Sequence, residues 1–176
     1  MSLNLKNTKT HSGLIAKTLH WTSVAMLLSI IVVASQFEGK LASPEKLKLI
    51  SLHSSMGLIF LTLMLTRLTW RTINQNPIDS YSIKKWQKLT AISLHRSIYI
   101  IIISQCVLGI LLLITGGETN RFFDLLEIGP LVEKNSIIHN LALSAHHFFS
   151  ILIYPLFAIH ISAAIYHQVF GLIDEV

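Results

Sequence analysis

Residues 141–170 read LALSAHHFFSILIYPLFAIHISAAIYHQVF. A run of this length and character is a helix that crosses a membrane, since about 20 apolar residues span a hydrocarbon core of about 30 Å. It carries His146 and His160 at depths where lipid would surround the chain, fourteen residues apart. Fourteen residues are nearly four turns at ~3.6 per turn, so both imidazoles share one face, roughly 21 Å apart along the axis. That spacing overshoots a binuclear metal site, whose ions lie about 3.5–4 Å apart, and suits two flat haem macrocycles stacked at different depths.

Three more segments have the same character: 14–36, 49–70 and 89–114. Between them, 37–48, 71–88 and 115–140 gather most charges, Pro44, Pro77, Pro130 and the Gly116-Gly117 pair, which is the composition of loops. In the longest loop Phe122, Phe123, Leu125 and Leu126 suit the membrane surface. The expected fold is all-α, an integral membrane four-helix bundle holding two haems, with 1–176 as one transmembrane cytochrome domain. The chain has no internal repeat or low-complexity tract that would divide it.

Composition supports lipid as the solvent: 52% of residues are hydrophobic and 13% charged, against about 25% charged in soluble domains. Cys106 is the single cysteine, which excludes an intrachain disulfide and a C-x-x-C-H haem attachment. Any haem is therefore held non-covalently, as haem b. Nine histidines supply the ligands. The net charge of +5 is read as membrane orientation rather than nucleic-acid binding. Segment 14–36 exceeds the 7–15 residues of a signal-peptide core and is read as an uncleaved anchor.

Nine Lys and Arg fall on the side of the N-terminus and the second loop, and five on the other (Lys40, Lys46, Lys48, Arg121, Lys134). This asymmetry expects both termini in the cytoplasm. Alternating helix directions then set depth. His20, early in the first helix, shares the inner level with His160; His53, early in the second, shares the outer level with His146. Gly57 lies one turn from His53, and Ala145, Ala163 and Ala164 relieve crowding near the other ligands, as a haem edge against backbone requires. Four ionisable residues at paired depths in lipid point to function.

The remaining histidines differ. His147 is turned about 140° from the face of His160. His139 lies seven residues before His146, among loop residues, and is read as interfacial. His167 lies seven after His160, toward the inner boundary, where a quinone headgroup would sit; His95 reaches the same level. Arg96 and Lys17 there suit snorkelling to lipid phosphates or contact with haem propionates. No Ser, His and carboxylate set and no glycine-rich phosphate loop is visible.

The segments Leu19-His20-Trp21, Leu52-His53-Ser54-Ser55-Met56-Gly57 followed by Arg67, and His146 with Ile159-His160 and His167 resemble the bacterial cytochrome b561 family over nearly all of the chain. The resemblance implies two haem b groups with iron held by His20 with His160 and by His53 with His146, in agreement with the depths. It also implies His167 and, with it, His95 at a quinone site. Some members resemble superoxide oxidases, which pass electrons from superoxide to ubiquinone. The outer segments, with five basic and six acidic residues, offer little net field for an anion.

The expected function is therefore a di-haem membrane cytochrome that exchanges electrons with the quinone pool of a respiratory chain, with ubiquinone as bound substrate and membrane lipid around it. The alternatives are a superoxide:ubiquinone oxidoreductase and a haem-bearing anchor for a dehydrogenase or hydrogenase subunit. A membrane protein without cofactor has to account for four depth-matched histidines.

Overall fold

The computed structural model describes residues 4–8, 11–37, 39, 43–74, 85–117, 119–123, 125–128 and 136–169. Its helices are α1 Leu14–Phe37, α2 Pro44–Ile73, α3 Lys85–Thr115 and α4 Ser136–Val169. All four are long and apolar enough to cross a membrane. An antiparallel hairpin, β1 Asn120–Phe122 with β2 Leu126–Ile128, lies between α3 and α4.

Three helices begin before their apolar runs do. Ser43 is extended and accepts a hydrogen bond from Lys46 N at 3.2 Å, while Pro44 occupies the first turn, where its missing N–H costs nothing. Pro44 is thus the start of α2 rather than a loop residue. Glu45 in the first turn and Arg71 in the last suit the helix dipole. α3 begins at Lys85 and α4 at Ser136, so His139 is helical rather than part of a loop. Hydropathy marks where lipid begins, whereas backbone hydrogen bonding continues into the interface.

Within lipid, backbone and hydroxyl groups must pair inside the protein. Ser23, Ser29, Thr62, Thr66 and Thr90 each donate to the carbonyl four residues earlier. Large apolar side chains such as Trp21, Val32, Ile100, Phe148 and Ile151 are exposed, as a lipid-facing surface requires. α4 continues through Pro155, which spanning helices tolerate when neighbouring groups satisfy the freed carbonyl.

Packing runs in chain order: α1 on α2, α2 on α3, α3 on α4. Among the described residues, neither α1 nor α2 packs extensively on α4. Leu27 and Ile30 of α1, Phe60 and Met64 of α2, Tyr99 and Ile102 of α3 and Ile153 of α4 form the buried core. A seven-residue register relates core to histidines: His20 to Leu27, His53 to Phe60, His95 to Ile102 and His146 to Ile153. An apolar layer therefore lies about 10 Å from each histidine level. We term the end bearing the N-terminus inner and the opposite end outer.

The hairpin is tied down on α2 by two serines that bracket His53. Buried Ser51 donates to the Arg121 carbonyl. Ser55, 1% exposed, accepts from Phe123 N at 2.9 Å and donates to the Ser51 carbonyl at 2.7 Å. Arg121 and Glu127, opposite each other in the strand register, pair at 2.8 Å. At the other end, residues 4–8 fold back on α1: Gly13 N donates to Asn7 Oδ1 at 2.8 Å, and a Cβ on Gly13 would lie 2.4 Å from the Lys6 carbonyl carbon.

Ser55→Ala removes the acceptor of the Phe123 N–H, a hydrogen bond worth about 0.5–1.5 kcal/mol. The expected result is faster protease cleavage within the hairpin in detergent with the helical circular dichroism unchanged.

Candidate functional site

Imidazoles meet across the gaps that α4 leaves with α1 and α2. His20 on α1 and His160 on α4 have ring centroids 6.3 Å apart, with planes at 59°. His53 on α2 and His146 on α4 also stand 6.3 Å apart, at 76°. Helix positions put the two pairs at opposite ends of the apolar layer. The sequence places His146 and His160 on one face, and the bundle brings each to a different partner helix.

Among the described residues, the side chains in contact with the outer pair are neutral. Phe37 packs edge-on to His53 with centroids 5.5 Å apart. Gly109 faces His146, and a Cβ there would lie 3.5 Å from its Cε1. A Cβ on Gly57 would meet nothing within 4 Å, so this glycine borders open space one turn from His53. Nδ1 of both His53 and His146 is buried without a hydrogen-bond partner. The main chain of Ile30 lies beside His53 and that of Gln105 beside His146.

The inner pair has cationic surroundings. Arg67 Nη2 lies 2.7 Å from His20 Nδ1, and since guanidinium only donates, that nitrogen accepts. Arg67 and Arg71 stand over the Tyr99 ring at 5.6 and 5.8 Å. His95 is the third imidazole of this level, 5.1 Å from His160 between centroids. Its Nδ1 donates to the Ala91 carbonyl at 2.7 Å, which leaves Nε2 of the neutral ring as an acceptor.

Further histidines fall into place around these. His139 lies beyond the outer pair, 3.3 Å from Thr115 Oγ1, and a Cβ on Gly116 would lie 3.5 Å from it. His147 is exposed, off the paired face, and Arg96 is exposed as well. α4 includes His167, whose side chain lies outside the described residues, as does Lys40. The contact between Arg67 and His20 was not anticipated. Its signal was available, because Arg67 follows His53 by fourteen residues, the same interval that separates the two paired histidines of α4.

The donor set fits a haem better than a bare metal ion. Among the described residues no three His, Cys, Asp or Glu side chains converge on one point. Two metal–nitrogen bonds of ~2 Å with half an imidazole at each end put ring centres roughly 6 Å apart, matching both pairs. A ligating imidazole directs its other N–H to a carbonyl or similar acceptor; the main chains of Ile30 and Gln105 lie beside the outer pair, whereas Nδ1 of His20 meets the donor Arg67, a contact that iron at Nε2 would have to open. Imidazoles on facing helices, open space at Gly57 and an apolar surround are what a non-covalent haem would need.

Fold and site together define a membrane-embedded cytochrome of the four-helix type. Residues 11–174 match the family described as prokaryotic cytochrome b561, and the chain belongs to it. It is similar to "Cytochrome b561 homolog 1" of Escherichia coli (strain K12), at 27% identity over 152 residues, covering 85% of each chain. The protein is therefore a multi-pass inner-membrane cytochrome that binds b-type haem and transfers electrons.

At Gly109, an alanine makes ordinary contact with His146, whereas leucine displaces the ring. Gly109→Ala is expected to retain haem at the wild-type stoichiometry, and Gly109→Leu to lower it, measured against protein by pyridine haemochrome.

Proposed function

We propose that this chain is a single transmembrane domain binding two haem b groups, one between His20 and His160 and the other between His53 and His146, and exchanging electrons with the quinone pool at its inner end. The observation that carries this reading is the repetition of one geometry: two imidazole pairs, each 6.3 Å between centroids, on either side of a shared apolar layer. Haem, when bound, supplies a one-electron iron couple at each level, the chemistry of electron transfer along the bundle.

The protein's part is to hold, orient and seal. α4 fixes the vertical separation of the two levels because it contributes a histidine to both. Leu27, Phe60, Ile102 and Ile153 keep water from the space between levels. At the outer end Ser51 and Ser55 hold the hairpin beside His53. Gly57 leaves room for a macrocycle edge.

His95 and His167 are the proposed quinone contacts. With Nδ1 committed to Ala91, His95 presents Nε2 to accept a hydrogen bond from a quinol hydroxyl. The excess of Lys and Arg on the side of the N-terminus supports a cytoplasmic location for both termini and hence for this site. A carrier is preferred to a superoxide oxidase because the outer hairpin's cation, Arg121, is neutralised by Glu127. Stopped-flow mixing with superoxide separates the two, since rapid haem reduction is expected of the oxidase alone.

Purified protein expressed with haem supplied is expected to hold two b-type haems per chain by pyridine haemochrome. Alanine at His20, His53, His146 or His160 lowers the stoichiometry to one; no bound haem in a folded protein would sink the reading. His95→Leu keeps both haems and slows their reduction by quinol roughly tenfold, the loss of about one hydrogen bond.

A further inference from the structure

The two histidine levels differ in charge. Among the described residues the acidic side chains are Glu45 and Glu127, near the outer end, and neither Arg67 nor Arg71 forms an ion pair with a carboxylate. Both guanidiniums lie at the inner level, against the buried ring of Tyr99, and Arg67 touches His20 itself. The outer level offers hydroxyls of Ser51, Ser54 and Ser55, the Gln105 amide and aromatic edges, and among the described residues no cation is in contact with His53 or His146.

Resting on the reading of two haems, we propose that Arg67 and Arg71 make the inner level the more readily reduced of the two, so that electrons entering at the outer end collect at the inner end, beside His95. Reduction lowers the charge at an iron site by one, and a fixed positive charge nearby favours the state of lower charge. That preference is strong where apolar packing limits screening. Propionates would bring the same negative charge to either level and do not distinguish them. The guanidiniums do.

The asymmetry gives the bundle a direction. Electrons supplied at the outer end by a one-electron reductant would settle at the level held by Arg67 and Arg71. A quinone at His95 needs two electrons and two protons to become quinol. Two reduced sites hold the two electrons, and the inner aqueous phase supplies the protons. The donor is defined only as a one-electron reductant that is stable in water at the outer face.

Redox titration of the haem-replete protein, followed in the haem absorption bands, tests this. Two midpoints are expected. The single haem left in His20→Ala titrates at the lower wild-type midpoint, and that left in His53→Ala at the upper. Arg71→Gln leaves both imidazole pairs intact and lowers the upper midpoint alone, while Arg71→Lys restores it. The equilibrium share of electrons at the inner level falls on the order of tenfold, the effect of one charge ~10 Å away at an effective dielectric near 20. The reverse assignment, or Arg71→Gln moving the lower midpoint or neither, overturns the proposal. Should the histidine variants lose both haems, the arginine series decides. A folded wild-type chain with fewer than two haems fails the underlying reading first and takes the inference with it, an outcome stoichiometry detects before any potential is measured.

Discussion

The facing of His146 and His160 from one helix toward two different neighbours is the constraint on which the rest of the structure depends. A single rigid helix fixes their separation at roughly 21 Å, and α1 and α2 must then each bring a histidine to its own depth. The seven-residue register accomplishes this with little else. His20, His53, His95 and His146 are each followed after seven residues by a core residue, Leu27, Phe60, Ile102 and Ile153. Continuing the register on α2 and α4 reaches Arg67 and His160, and on α3 reaches Gly109. One periodicity therefore sets the paired histidines, the apolar layer, the cation and the glycine beside His146.

How much of this could be read from sequence varied with the physics behind each feature. Transmembrane length, helix number and paired histidine depths were legible because lipid imposes length and helical geometry imposes spacing. Helix starts were less so: Ser43 and Pro44 start α2 through capping, which a hydropathy count passes over, and His139 joined α4 for the same reason. The hairpin at 120–128 was not anticipated. Its strands are three residues each, too short for an alternating pattern, and they are fixed by hydrogen bonds to Ser51 and Ser55, far away in sequence. The placement of Arg67 beside His20 is likewise a property of the packing of α1 on α2.

Serines on α2 illustrate how membrane polarity is divided. Ser55 satisfies its donor within the helix and spends its acceptor capacity on Phe123 N. A hydroxyl that bonds only its own helix contributes little to tertiary structure; one that also receives a loop amide joins that loop to the site. Since His53 lies between Ser51 and Ser55, the outer histidine and the hairpin are referenced to the same two turns of α2. The inner histidine has no such cover among the described residues, and its neighbours are charged and aromatic instead.

The open seams have a thermodynamic meaning. α4 packs along α3, and among the described residues it has no comparable packing on α1 or α2, where imidazole rings face each other across the seams. Lipid gives no hydrophobic drive to close such seams, because its tails are as apolar as the side chains. A ligand that binds the assembled bundle and not its separated helices adds RT ln(1 + [L]/Kd) to stability. Haem bridging both seams would thus supply the packing that direct contact with α1 and α2 does not, and would do so twice along the same helix. Assembly of the bundle and acquisition of haem are on this argument one equilibrium.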